Sequence, residues 1–409
     1  INTYGLLAST AKAEQWLWFA LLMLSQPLFY GVALTHVAVS VTRGLITLGL
    51  LSSSDRQKRI DHILHNQVFG IAITELTSYL SRRSLYCSKH ANGKYSVSHF
   101  NTESGNILYA NRSHTWENGK CKYCGASQAV YDRGSEAEQY AYMFIHTDNP
   151  KQFLGNMKFD VIIGNPPYQL SKASENNKTN ASFASAIYPL FFEQAQKLKP
   201  RYIAMITPSR WMTRTGQGIS NEWVDKMINC NHFIEMHDFL DSNECFAGVD
   251  IMGGVSYFLF SQDYVGKCHY VQHSGKKTTE RDDYLDPFDA GVVIRDSMAL
   301  QILRKVIMKE GNYYKKCSFS SLVGPSHYFD KDGILNTNWS GYVKRRDDVH
   351  NIKYYLSRRM EDSGFAWIKR TDIPKGIETL DLHKVFIPKA NGSFGEDAPI
   401  LGVPFYGEP

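Results

Sequence analysis

Phe159-Asp160-Val161-Ile162-Ile163-Gly164-Asn165-Pro166-Pro167-Tyr168 reads as a short buried strand that ends in a turn built for contact. Val161, Ile162 and Ile163 form an unbroken β-branched run with no polar face, the pattern of a strand covered on both sides in a parallel sheet. Gly164 breaks the run. The two prolines after Asn165 carry no backbone N–H and fix φ, so the carbonyls of Asn165 and Pro166 are expected to point out of the sheet as acceptors. Tyr168 closes the turn with a flat ring. An amide oxygen, a backbone carbonyl and an aromatic face suit a planar substrate with an exocyclic amino group: the acceptors hold the amino protons and the ring stacks on the heterocycle.

The segments around this turn alternate strand and helix. Upstream, Ser54 to Leu64 predicts an N-capped amphipathic helix with Ile60, Ile63 and Leu64 on one face. Gln67 to Glu75 reads as strand then turn, and Leu76 to Leu85 as helix, which makes half of a βαβ unit. Ser135 to Tyr142 reads as helix and Tyr142 to Asp148 as a strand ending in a carboxylate. Downstream, Leu170 to Ser182 is a polar loop rich in Ser, Asn and Lys, Tyr188 to Leu198 an amphipathic helix, and Arg201 to Pro208 another buried strand. Phe233 to Phe239 and Val255 to Phe260 are further strands. The fold class is α/β.

Between Tyr86 and Asp132 the composition turns polar and Tyr-rich, with tight-turn signals at Asn92-Gly93 and Asn118-Gly119 and short alternating runs at Tyr95-Ser96-Val97 and Ile107-Leu108-Tyr109,. An inserted β module is expected over residues 86–134. Within it, Cys121-Lys122-Tyr123-Cys124-Gly125 has the form of a zinc knuckle, because two thiolates two residues apart on a Gly-terminated turn can share one tetrahedral ion. Cys87 and a histidine, His114 or else His90, would complete the shell. The expected ligand set is Cys87, His114, Cys121 and Cys124, with free cysteines in a small hairpin as the other reading.

At 409 residues the chain suggests two or three domains,. Hydrophobic content of 43%, charged content of 21% and a net charge of +5 describe an ordinary globular protein whose balance permits a polyanionic partner without demanding one,. The seven cysteines are more suggestive of a reduced, cytoplasmic protein with a metal site than of a disulfide framework,. Gln15 to Thr42 contains no charged residue and is long enough for a membrane span, but Ser25, Gln26, Pro27, Gly31 and His36 interrupt it, and no membrane is favoured. Beyond Ser261 basic and aromatic residues cluster, as in Tyr313-Tyr314-Lys315-Lys316, Tyr342-Val343-Lys344-Arg345-Arg346 and Tyr354-Tyr355-Leu356-Ser357-Arg358-Arg359, which suits phosphate contact and base stacking.

Asn165-Pro166-Pro167-Tyr168 after an Asp-Val-Ile-Ile-Gly strand, with the elements from about Arg43 to Phe260, resembles the catalytic domain of gamma-type adenine-specific (N6) DNA methyltransferases of restriction-modification systems. The resemblance implies a Rossmann-like sheet that binds S-adenosylmethionine, interrupted here by the small β/zinc-knuckle module read above, and a C-terminal mixed α/β recognition domain after it. Its domains would be an atypical segment 1–42, a catalytic domain 43–262 and a target-recognition domain 263–409, with double-stranded DNA and a cognate endonuclease domain or subunit as partners. Catalysis would fall to Asn165, Pro166 and Tyr168, and base contact to Pro167 with Phe246 or Tyr257. Glu75 is the carboxylate nearest to the position of the ribose contact, which is Ala72 here, and Asp148 would meet the cofactor's adenine or else simply open the Asp148-Asn149-Pro150 turn. The Gly-rich loop that the resemblance calls for before Arg43 is missing at Leu28 to Ala38, consistent with a frame-shifted or recombined first segment. A catalytically impaired DNA-binding remnant, and an amino-methyltransferase acting on RNA or protein, remain as alternatives.

Overall fold

A computed structural model describes residues 53–66, 68–132, 140–155, 157–170, 185–275, 277–311, 339–355, 365–373, 377–381, 384–386 and 405–407. The apolar run at 15–42, the loop at 28–38, most of the polar loop after Leu170, and the Tyr313–Lys316 and Arg358-Arg359 clusters lie outside these residues. Among the described residues no helix is long and apolar enough to cross a membrane.

Helix α1 (Ser53–Asn66) buries Ile60, Ile63 and Leu64 on one side, the i, i+3, i+4 spacing of an amphipathic helix. Strand β1 (Gly70–Ile71) leads into α2 (Glu75–Tyr86). Thr74 caps α2 reciprocally: its hydroxyl accepts from the Thr77 N–H at 3.1 Å and its own N–H donates to Thr77 Oγ1 at 2.9 Å,. Strand β2 (Ile107–Leu108) pairs in parallel with β1, so this run lies beside β1 and is no part of a hairpin within the insert. Tyr95 to Val97, expected as strand, is turn and bend. The Asn118-Gly119 signal does make a hairpin, joining β3 (Trp116–Glu117) to β4 (Lys120–Cys121). Both turn residues have positive φ, 51° and 75°, as a two-residue hairpin loop that follows the strand twist requires,. Helix α3 (Gln128–Tyr131) closes the insert. Tyr142 to Asp148 is not the expected strand: the N–H groups of Ile145 and His146 both donate to the Tyr142 carbonyl at 3.1 Å and wind the segment into a turn.

The remaining elements are β5 (Val161–Gly164), α4 (Tyr188–Lys197), β6 (Tyr202–Pro208), α5 (Asn221–Asn229), β7 (Phe233–Phe239), β8 (Val255–Phe260), β9 (Cys268–Ser274), β10 (Lys277–Asp283) and α6 (Ser297–Glu310). Six of these strands form one mixed sheet in the order β10-β9-β7-β8-β6-β5. Strand β5 runs parallel to β6, and β7 parallel to β9, while β8 lies antiparallel between β6 and β7. The carboxyl ends of β5, β6, β7 and β9 therefore share one edge of the sheet. One face packs Ile203, Met205, Phe258, Phe260, Phe233 and Met236 against Phe192 of α4, Val224 and Met227 of α5, and Trp211. On the opposite face Ala204 and Leu259 are buried with Val161, Ile163 and Tyr257 packed on them.

A buried ion pair fastens the sheet from within. Asp238 on β7 is fully buried and accepts from Arg295 Nε at 2.6 Å and Nη2 at 2.7 Å, from Tyr270 OH at 2.6 Å and from Ser209 Oγ at 2.7 Å. Arg295 Nη1 also donates to the Gly253 carbonyl at 2.8 Å. Every carboxylate lone-pair direction is used, the condition under which a buried charge is tolerated. The sheet continues through β9 and β10, past Ser261. The chain divides into two compact units, Ile1–Gln301 and Ile302–Pro409; the second holds two described strand pairs, β11 (Ile352–Tyr355) with β12 (Phe365–Ile368) and β13 (Lys384–Phe386) with β14 (Phe405–Gly407).

Candidate active site and metal cluster

Strand β5 delivers Asn165 to the shared carboxyl edge. Gly164 pairs with Met205, so Asn165 stands level with Ile206, whose partner across β8 is Tyr257, which in turn pairs with His237 on β7. Tyr257 is thus two strand spacings from the turn, roughly 10 Å. Asn165, Pro167 and Tyr168 are half-buried and Pro166 is buried. Among the described residues no backbone N–H donates to the Pro166 carbonyl. The turn is locked from behind. The Tyr168 carbonyl accepts from the Ile187 N–H at 3.2 Å, the Leu170 N–H donates to the Ser185 carbonyl at 3.3 Å, and Gln169 bridges Ala186.

The two aromatic candidates for the opposite wall differ. Phe246 is buried among Ile206, Val255, Phe239 and Ile251, so its ring belongs to the core under the edge. Tyr257 is half-buried and stacks on His237 at 4.6 Å and 12°. His237 Nδ1 lies 2.9 Å from His273 Nε2, and His273 stacks on Phe239 at 4.2 Å. This Tyr257-His237-His273-Phe239 row was not legible in the sequence. Its one signal was His237 on the outward beat of a strand that otherwise alternates buried and half-buried residues. Burial pushes the Tyr257 hydroxyl well above its ordinary value and, with His237 beside it, draws His273 below the usual histidine range.

The carboxylates proposed for the donor side are both accessible. Glu75 is exposed at the first position of α2 and accepts from the Tyr79 hydroxyl. Asp148 is exposed and is approached by Lys122 Nζ at 3.5 Å and Tyr123 OH at 3.3 Å, both from the knuckle. Ala72, at the end of β1, is buried.

His114, Cys121, Cys124 and His146 converge in a single buried cluster, their ligand atoms all within 4.8 Å of one another. The sequence placed Cys87 in this set. Instead, Cys87 is exposed, in the left-handed conformation (φ 59°) that ends α2, and His146 stands in its place. Gly125, at φ 69°, lets its N–H donate to the Cys121 carbonyl at 2.9 Å, which closes the turn that carries Cys121 and Cys124. The Cys121 thiol is drawn down, chiefly by a hydrogen bond from Cys124, while Cys124, as donor to it and buried, is pushed up.

With the geometry in view, the chain can be set beside known proteins. The sequence profile of the Eco57I restriction-modification methylase family matches residues 66–246, which include the Asn-Pro-Pro-Tyr turn. A Mycoplasma pneumoniae protein described as an uncharacterized adenine-specific methylase is 34% identical over 258 residues, 58% of this chain and 59% of that protein. The chain therefore spans somewhat over half the length of that relative. Among solved structures, the M protein of the type I restriction enzyme EcoKI overlaps 68% of this chain and 52% of its own at 14% identity and a TM-score of 0.34. The type IIG restriction endonuclease BpuSI overlaps 88% of this chain and 43% of its own at 9% identity and a TM-score of 0.36.

Proposed function

We propose that this chain is the methylase of a restriction-modification system, transferring a methyl group from S-adenosylmethionine to adenine N6 in a specific duplex DNA sequence. The observation that carries it is the Asn-Pro-Pro-Tyr turn at the edge of the mixed sheet shared by the carboxyl ends of the parallel strands β5 and β6, where open α/β sheets bind their ligands,. It lies within the span matched by the methylase family, and the adenine-specific relative supports the same reading. A Rossmann-like arrangement would place the donor beside β1 and β5, with Glu75 and Asp148 as the carboxylates facing its ribose and adenine. Both are exposed, and each can accept from a hydroxyl or an amino group,.

Adenine in a duplex is buried in the stack, so the base must be rotated out, at a cost of a few kcal/mol or so that stacking on Tyr168 helps offset. The Asn165 side-chain oxygen and the Pro166 carbonyl accept the amino hydrogens, drawing N6 toward tetrahedral geometry and freeing its lone pair. Tyr257 forms the far wall. When bound, S-adenosylmethionine supplies an electrophilic methyl group on a sulfonium, so no strong base is required of the protein. Positioning and acceptor electrostatics carry the rate. Within this reading the basic second unit contributes to target recognition, an endonuclease domain or subunit is the functional partner, and the protein works in the cytoplasm.

The test is transfer of labelled methyl groups to duplex DNA, with RNA and protein as parallel acceptors. Label confined to adenine in DNA supports the proposal, and label in RNA or protein alone redirects the chemistry to another amino group. A second reading, a DNA-binding remnant without catalysis, is favoured by one observation: the position expected to carry the ribose carboxylate is the buried Ala72. Calorimetry with S-adenosylmethionine separates the two, since a remnant shows no binding heat.

A further inference from the structure

The insert is too small to hold itself together by burial. Its strands β3 and β4 have two residues each and α3 has four, and modules of this size ordinarily need a staple. Four metal-ligand side chains meet at its centre, and all are buried: His114 at 7% exposure, Cys121 at 3%, Cys124 at 6% and His146 at 7%. We propose that His114, Cys121, Cys124 and His146 hold one structural zinc ion, and that this ion pins the insert to the segment leading into the catalytic turn.

Two of the ligand–ligand spacings already match a tetrahedron, and all four atoms lie within 4.8 Å of one another. Zn–S bonds of about 2.3 Å and Zn–N bonds of about 2.05 Å put neighbouring S and N ligands about 3.6 Å apart and neighbouring N ligands about 3.3 Å apart. Cys124 Sγ lies 3.5 Å from His114 Nδ1, and His146 Nε2 lies 3.3 Å from the same nitrogen. The tautomer is also set. His146 Nδ1 is 2.9 Å from the Tyr142 carbonyl, which can only accept. Nδ1 therefore carries the proton and Nε2 presents its lone pair to the cluster, the outer hydrogen bond that metal-bound histidines make. Two thiolates and two imidazoles select zinc over calcium or magnesium, and four protein ligands leave no open position, which makes the site structural.

The ligands come from two places in the chain, and that gives the ion its purpose. His114, Cys121 and Cys124 belong to the insert, whereas His146 sits on the turn before β5. Next to it, the Thr147 carbonyl accepts from Gln194 Nε2 of α4 at 2.7 Å. Cys121 and Cys124 also pack in one cluster with Leu170 and Ile187, which flank the clasp behind Tyr168. A metal bridging these parts fixes the base of the catalytic turn to the central helix layer. The proposal stands on these four side chains and is independent of the methyl-transfer reading.

Metal analysis of the purified full chain tests it. One zinc per chain is expected in the wild type and in Cys87→Ser, with at least a tenfold loss in Cys121→Ser and His146→Ala. To separate metal loss from misfolding of those two variants, cobalt added to chelator-treated wild type provides a second readout: visible d–d bands of tetrahedral cobalt with two thiolates. His146→Cys should retain the metal and strengthen the thiolate-to-cobalt charge transfer. A wild-type chain that holds no zinc and gives no tetrahedral cobalt spectrum overturns the site. Loss of metal in Cys87→Ser, or a His146→Cys spectrum identical to wild type, overturns the ligand set.

Discussion

In the proposed reaction Asn165 offers the side-chain acceptor at the carboxyl end of β5, and its replacement separates binding from chemistry. Asn165→Ala keeps the backbone and removes the side-chain amide with its acceptor oxygen, so methyl transfer should fall about 10²–10³-fold, the loss seen when one preorganised transition-state partner is removed. Affinity for the methyl donor should hold in calorimetry; unchanged turnover would exclude the amide from the chemistry. Asp238 makes a different claim. Asp238→Asn leaves the Arg295 guanidinium, 14% exposed, beside a neutral amide, and a loss of about 3–5 kcal/mol in urea unfolding is expected,. His273 makes stability pH-dependent. Burial, then the neighbouring His237, holds it below the ordinary 6.5, so the folded protein binds fewer protons there than the unfolded chain. Its contribution is complete above the unfolded pKa and is lost as pH falls through the folded one, so the urea midpoint should drop from about pH 7 to about pH 5. His273→Gln should flatten that slope, and an unchanged slope would assign it to other groups.

Two glycines show how an element is fixed by more than local conformation. Gly119 in the β3–β4 turn and Gly254 before β8 have nearly the same φ, 75° and 79°. A Cβ at Gly119 would meet nothing within 4 Å, whereas one at Gly254 would lie 2.0 Å from the Phe239 carbonyl oxygen. Gly119→Ala should therefore cost about 1 kcal/mol for the backbone alone. Gly254→Ala should cost clearly more, because β7 and β8 must separate; equal unfolding midpoints would contradict this. The contrast also explains what could be read from the sequence. Strand β5 and its turn, the Asn118-Gly119 hairpin, the Cys121–Cys124 knuckle and the buried face of α1 are local patterns, written within a few neighbouring residues. His146 was missed because its role depends on a meeting with residues more than twenty positions upstream, and because the apolar run at Tyr142–Ile145 reads as a strand while folding as a turn. The Asp238–Arg295 pair spans 57 positions, and the Tyr257-His237-His273 row joins three strands. Such contacts have no signature shorter than the sheet itself, and the same limit hid β9 and β10 as its continuation.

For the whole molecule, the net charge of +5 acquires meaning only through where the basic groups stand,. In the second unit Lys344, Arg345 and Arg346 are consecutive and exposed. The segment carrying them is tied to β12, since the Val343 N–H donates to the Trp367 carbonyl at 3.0 Å and the Trp367 N–H returns the bond at 2.8 Å. Arg346 lies over the Trp367 ring at 5.6 Å, and Tyr342 stacks with Tyr354 at 5.8 Å. Charges on a bend braced against a strand can follow a phosphate backbone with less entropy to lose than the same charges on a loose tail,. If all three contact phosphates, each neutralised phosphate adds about 0.9 to the slope of log K against log salt. Replacing all three with Gln should then lower the magnitude of that slope by between about 2 and 3, and weaken binding to every duplex sequence alike. Fluorescence anisotropy across a salt series, with specific and scrambled duplexes, reads both effects. A slope equal to wild type would remove this basic segment from the DNA path. A loss confined to the specific duplex would reassign the cluster from the backbone to base edges, where sequence is read.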